Sequence, residues 1–284
     1  MSKKIKNLIL DLIIIALIAA IGYNGYNVYA EYADNMANTD IRDNIDSSIK
    51  LESDINYFEE GAFDPSKFPT GNNSQNNNSN NNSNKYNPVN TESSKFVYAD
   101  FKDLKSKNEE TAAWVLVPNT GINYSVLQTD NNEYYLKHNF NKEYNRAGWI
   151  FGDYRSNFNI LDRHTVLYGH NQLSSSMFGD LKKLKNTEGW FNTEENKYIY
   201  LATEKATYVF EIISIHVAKG NYYIKHGLDD DKVYQEWLDY IAKENIIPEL
   251  TPDLDINDHI LTLSTCHSGD RLAIHAKLIK TKIL

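Results

Sequence analysis

Cysteine is nearly absent from this chain: Cys266 is the only one in 284 residues. A lone thiol closes no internal disulfide, so the fold rests on burial and not on covalent staples. Cys266 is then inert packing, a free nucleophile or one half of an intermolecular link. An excess of positive charge is also missing. The formal net charge is -9, which argues against a nucleic-acid binder with its basic face. No His/Cys set falls at zinc-ligand spacing, so the sequence calls for no metal and no cofactor. Asp229-Asp230-Asp231 reads as a helix start, where carboxylates meet the positive end of the helix dipole, in preference to a calcium loop. One stretch is almost without apolar side chains. Residues 71–95, an Asn/Ser-rich tract, have little to bury and read as a disordered linker.

What is present begins with a targeting signal. Lys3, Lys4 and Lys6 flank an apolar run from about Ile5 to Ala20 that extends through Tyr23 to Tyr29. This order predicts a basic cytoplasmic tail over 1–6, one transmembrane anchor over 7–29 and everything after it outside the cell membrane. Asp11 lies near the basic end, within reach of the interface or of a lysine. A signal peptide cleaved near Val28-Tyr29-Ala30 is the competing reading. Residues 30–70 read as an extracytoplasmic helical segment, because Ile41, Ile45, Ile49 and Leu51 recur at about helical spacing.

Over 96–284 the pattern changes to short alternating blocks. Residues 113–117, 122–126, 165–168, 198–202, 207–216, 259–265 and 272–279 read as strands, with Glu204-Lys205 turning a hairpin. Helices are expected over 103–111, 177–181 and 229–245, the last presenting Val233, Trp237, Leu238 and Ile241 on one face. Many strands and few helices predict a mainly β domain, a closed or nearly closed barrel with short peripheral helices.

The chemistry gathers at strand ends. Cys266 closes the run Leu261-Thr262-Leu263-Ser264-Thr265-Cys266. A thiolate is the nucleophilic form, and an ordinary cysteine pKa of about 8.5 means that it needs a neighbouring cation or base. His170 ends another apolar strand within Tyr168-Gly169-His170-Asn171, where the glycine lets the backbone turn, and imidazole suits proton transfer near neutrality. Arg271 stays protonated and can hold an oxyanion or the substrate. Nucleophile, proton carrier and anion stabiliser together suit acyl transfer. Singly, each has a plainer explanation: a buried cysteine packs as a small hydrophobe, a strand-end histidine holds structure, and a strand-start arginine forms a surface pair. His267, directly after Cys266, is a second candidate proton carrier, although strand alternation turns it to the other face.

The ordered set resembles the sortases. Thr262-Leu263-Ser264-Thr265-Cys266 followed by Arg271-Leu272-Ala273-Ile274-His275-Ala276-Lys277-Leu278 is similar to their cysteine signature and arginine strand, and Tyr168-Gly169-His170-Asn171 to their histidine motif. Trp114-Val115-Leu116-Val117-Pro118-Asn119-Thr120 with Tyr124 and Gln128 resembles their early strands. Gly148 to Arg155, the Ser176-Met177-Phe178-Gly179-Asp180-Leu181 run and the helix before the cysteine strand resemble class B in particular. One departure stands out: only four residues separate Cys266 from Arg271, fewer than class B members usually have. The resemblance implies an eight-stranded barrel and a membrane-anchored cysteine transpeptidase. It implies that Cys266 cleaves a C-terminal sorting signal of a secreted protein through a thioester, with His170 as proton donor and acceptor and Arg271 as oxyanion or substrate stabiliser. A peptidoglycan precursor or another amine would resolve the thioester. Pilin polymerisation, an L,D-transpeptidase or another cell-wall cysteine peptidase, and an anchored extracellular binding module are the alternatives. The Ser-x-Gly-Cys type of motif expected of an L,D-transpeptidase does not match Thr265-Cys266-His267.

Overall fold

Lys3–Asp46 form a single helix, α1, of 44 residues and so about 66 Å long. The computed structural model describes residues 3–46, 48–54, 94–172, 174–266 and 270–284. Leu8, Leu12, Ile15 and Ile18 on its first half are exposed, and the helix is long and apolar enough to cross a membrane. Its second half is docked. Ile45 enters the main hydrophobic core and Ile41 packs against it.

The helical spacing expected to continue past residue 46 stops there. Ile49 instead opens strand β1 (Ile49–Asp54), which pairs antiparallel with β2 (Ser94–Ala99) in register Ile49↔Ala99 to Asp54↔Ser94. A β-branched residue spaced for a helix serves equally well in a strand, and the pairing decides. Ser94 and Lys95, expected to end the linker, belong to β2; residues 55–93 lie outside the described residues. Phe96 and Val97 are fully buried, and Thr207 Oγ1 donates to the Val97 carbonyl at 2.7 Å.

Helix α2 (Phe101–Lys107) begins earlier than the expected 103–111, because Asp100 caps it by accepting from Asp103 N at 3.0 Å. It ends before Asn108, and Thr111 already starts β3 (Thr111–Leu116). Then follow β4 (Asn123–Leu127), β5 (Phe151–Gly152), β6 (His164–His170), α3 (Leu181–Asn186), β7 (Tyr198–Thr203), β8 (Ala206–Ala218), α4 (Asp231–Lys243), β9 (Ile260–Cys266) and β10 (Arg271–Ile283). The short helix expected over 177–181 is a turn as far as Asp180, with Ser175 and Met177 at φ 66° and 52°, and helix starts only at Leu181.

Eight strands close a barrel in the order β10-β8-β7-β3-β4-β5-β6-β9, the mainly β architecture read from the sequence. Closure leaves no exposed edge. Two neighbour pairs run parallel, β4 with β5 and β6 with β9. Trp114, Val115, Val126, Val166, Leu201, Phe210 and Leu263 fill the main core. Asp230 caps α4 by accepting from Val233 N at 3.0 Å, and the helix buries Tyr234, Trp237, Leu238 and Ile241 against Ile213 and Ile260.

Candidate active site

The parallel pairing of β6 with β9 runs from His164↔Ile260 to His170↔Cys266. Two strands of equal length therefore end together, and the histidine and cysteine positions are neighbours at that end. The antiparallel register of β10 with β9, ending at Ala273↔Ser264, puts Arg271 across from Cys266 two residues further along. Thr265 Oγ1 accepts from Leu272 N at 3.0 Å and fixes this end of the pair. A connection of four residues is enough, since such hairpin loops are common. All three sequence-derived positions thus lie in one row across β6, β9 and β10. His267 lies outside the described residues. The Arg271 guanidinium makes no ion pair among the described residues.

The His170 ring is half-buried, and its Nε2 lies 2.8 Å from the carbonyl oxygen of Leu136. A carbonyl only accepts, so Nε2 carries the hydrogen and Nδ1 is the accepting nitrogen of the neutral ring. The backbone is pinned too: Phe178 N donates to the His170 carbonyl at 3.0 Å, and Asn171 bridges Met177. Gly169 has a role that the sequence did not disclose. A Cβ there would lie 2.7 Å from Phe178 Cγ and 2.8 Å from Cδ2, so the glycine admits the Phe178 ring against the strand, and no backbone turn is involved.

One buried carboxylate supports this end of β6. Asp153, fully buried, accepts from Arg155 Nε and Nη2, both at 2.8 Å, from Asn132 Nδ2 at 2.8 Å and from Tyr168 OH at 2.9 Å. His226 Nε2 lies 3.3 Å away. Burial pushes the Asp153 pKa up, but the Arg155 hydrogen bonds, with His226 close by, outweigh it and hold the carboxyl well below the usual range. Nothing in the sequence spacing marked this group; its members come from four separate segments.

Behind the row lies a chain of buried polar side chains. His164 Nδ1 donates to the Lys225 carbonyl at 3.0 Å, so its Nε2 accepts, at 2.8 Å, from Thr262 Oγ1, which in turn accepts from His275 Nδ1 at 2.8 Å. Burial drives the His164 pKa down to about 3 and holds His275 well below its ordinary value. These rings stay neutral and act as structure.

The fold and the row of positions define a class of protein: a β-barrel enzyme of acyl transfer, a cysteine transpeptidase. Residues 115–279 match the sortase domain family. Sortase B of Listeria monocytogenes is 31% identical over 188 residues, covering 63% of this chain and 74% of that protein. A Bacillus anthracis crystal structure described as similar to sortase B is 36% identical with a TM-score of 0.59, covering 63% of this chain and 82% of that one. The Staphylococcus aureus sortase B–substrate complex is 29% identical with a TM-score of 0.59, covering 63% and 84%. The chain belongs to the sortase family, and its relatives are class B sortases.

Proposed function

We propose that this transpeptidase is anchored by α1 with its barrel on the outer face of the cell membrane, and that it joins secreted proteins carrying a C-terminal sorting signal to a cell-wall amine. In domain terms, residues 1–6 remain cytoplasmic, 7–29 span the membrane, 30–70 form the extracytoplasmic segment, the linker runs from 71 to the start of β2 at Ser94, and the catalytic domain continues from there to 284. Cys266 passes its thiol proton to His170, and Sγ attacks the carbonyl carbon of the scissile peptide bond. The C–S bond forms, the C–N bond breaks, and the departing amine takes a proton from His170. The acceptor amine then attacks the thioester carbon and returns a proton to His170, and the thiolate leaves. Arg271 stabilises the oxygen anion of each tetrahedral intermediate or grips the substrate.

The alignment His170↔Cys266 at the ends of β6 and β9 carries this reading. Sortase B relatives have been crystallised with substrate and with a triglycine peptide, which supports a peptide donor and an amine acceptor here. Peptidoglycan precursors are the acceptor this reading favours, and it involves no nucleic acid, metal or cofactor. The test is turnover of a library of sorting-signal peptides by wild type and by Cys266→Ala, His170→Ala and His267→Ala. The first two are expected to lose turnover and the third to keep it. Equal losses for both histidines would reject the assignment of the proton carrier.

A further inference from the structure

His170 is gripped on two sides by segments that both rest on α1. On the ring side, the Leu136 carbonyl that receives Nε2 is covered by Gly148. The covering residue has φ 58°, and a Cβ on it would lie 2.9 Å from the Leu136 oxygen and 2.3 Å from the Tyr135 oxygen. Gly148 is held in turn by the helix: Asn38 Nδ2 donates to the Gly148 carbonyl at 3.0 Å and to Asn145 Oδ1 at 3.3 Å. Asn145 N donates to the Lys137 carbonyl at 2.9 Å, and Asn145 Nδ2 donates to the Asp34 carbonyl at 2.9 Å. On the backbone side, Phe178 N holds the His170 carbonyl, and Ser176, two residues earlier, donates through Oγ to Asn35 Oδ1 at 2.6 Å.

Asn35 and Asn38 are buried at 8% and 1% exposure. Three residues apart, they share one helix face. Docking alone would be served by apolar packing, as at Ile45. Two buried amides aimed at the two loops that flank one side chain do something more specific, and removing one strands its polar partners.

We infer that Asn38, with Asn35 beside it, is a positioning residue for His170, so that the docking of α1 sets the geometry of acyl transfer. This deepens the reading of His170 as proton carrier and rests on it. The helix runs unbroken from the apolar span into the clamp, which ties the anchor to the competence of the site.

The experiment uses the full-length protein in detergent micelles and the best wild-type peptide from a sorting-signal library. Asn38→Ala is compared with Asn24→Ala, an exposed residue whose side chain, among the described residues, bonds within the helix to the Ala20 carbonyl at 2.7 Å. The His170 ring is titrated by NMR in a Cys266→Ala background. Asn38→Ala is expected to lower kcat roughly tenfold to a hundredfold, as a displaced reacting group does, with KM little changed and the ring titration shifted. Asn24→Ala changes neither. If Asn38→Ala folds poorly, Asn38→Asp keeps the shape, removes the donor and is expected to act alike. Wild-type kcat, an unmoved ring titration, or a kcat loss no larger than the loss of folded protein would overturn the inference. A fully active His170→Ala would overturn the proposed role of His170 instead; the ring titration still judges the clamp.

Discussion

Acidification is expected to weaken this barrel through His164. In the folded protein its pKa is held near 3 by burial; in the unfolded chain it is about 6.5. A depressed value means that the unfolded state binds the proton first, so the stabilisation is complete above pH 6.5 and is lost as pH falls from there toward 3. At pH 5 the unfolded histidine is nearly all protonated and the folded one is not, which costs about 2 kcal/mol relative to pH 8. In a domain of this size that corresponds to a fall in Tm of roughly 4–8 °C. The bonding explains why the ring resists protonation. Nδ1 already donates to Lys225, and a hydrogen on Nε2 would face a Thr262 oxygen that also receives His275. His216 and His275 are shifted downward by the same burial, so they act in the same direction. The assay is Tm by circular dichroism between pH 8 and 5 for wild type and His164→Gln. The variant should lose His164's share of the slope. Parallel profiles for the two proteins would refute the argument.

Two further outcomes follow from packing. Gly169→Ala should destabilise the protein by about 1–3 kcal/mol, because the added methyl meets the Phe178 ring, and kcat should fall with it; unchanged denaturant midpoints would show that the ring has room to move. Deleting residues 1–30 should leave a folded, active enzyme, whereas deleting 1–95 removes Ile45, Asn38, β1 and the start of β2. Losing a buried isoleucine alone costs roughly 2–5 kcal/mol, so the shorter fragment should melt well below the longer one; equal Tm values would mean that the docked half of α1 contributes nothing.

The row of site positions was legible because it sits in the most regular part of the chain. The alternating run into Cys266 and the apolar run into His170 are strands whose ends the sequence marks, and a single cysteine leaves no choice of thiol. The barrel followed from the same alternation. What escaped has no periodic signature. Asn35 and Asn38 look like solvent-facing polar residues of a helix, and only the distant loops that meet them give them a role. β1 and β2 are joined across a tract outside the described residues, and Ile49 fits a helix as well as a strand. The 177–181 run looked helical by composition, but positive φ at Met177 makes it a turn as far as Asp180. The Asp153 hub needs Arg155, Asn132, Tyr168 and His226 to converge in space.

In the proposed mechanism Cys266 carries the acyl group while His170 moves the protons. Mass spectrometry of the intact protein, quenched during turnover of a sorting-signal peptide without acceptor amine, tests it most directly. Wild type should carry the peptide's N-terminal portion as a hydroxylamine-labile adduct on Cys266, and an added amine should discharge it. No adduct is expected in Cys266→Ala, and a slowly formed one in His170→Ala. An adduct on any other residue, or peptide turnover by Cys266→Ala, would contradict it.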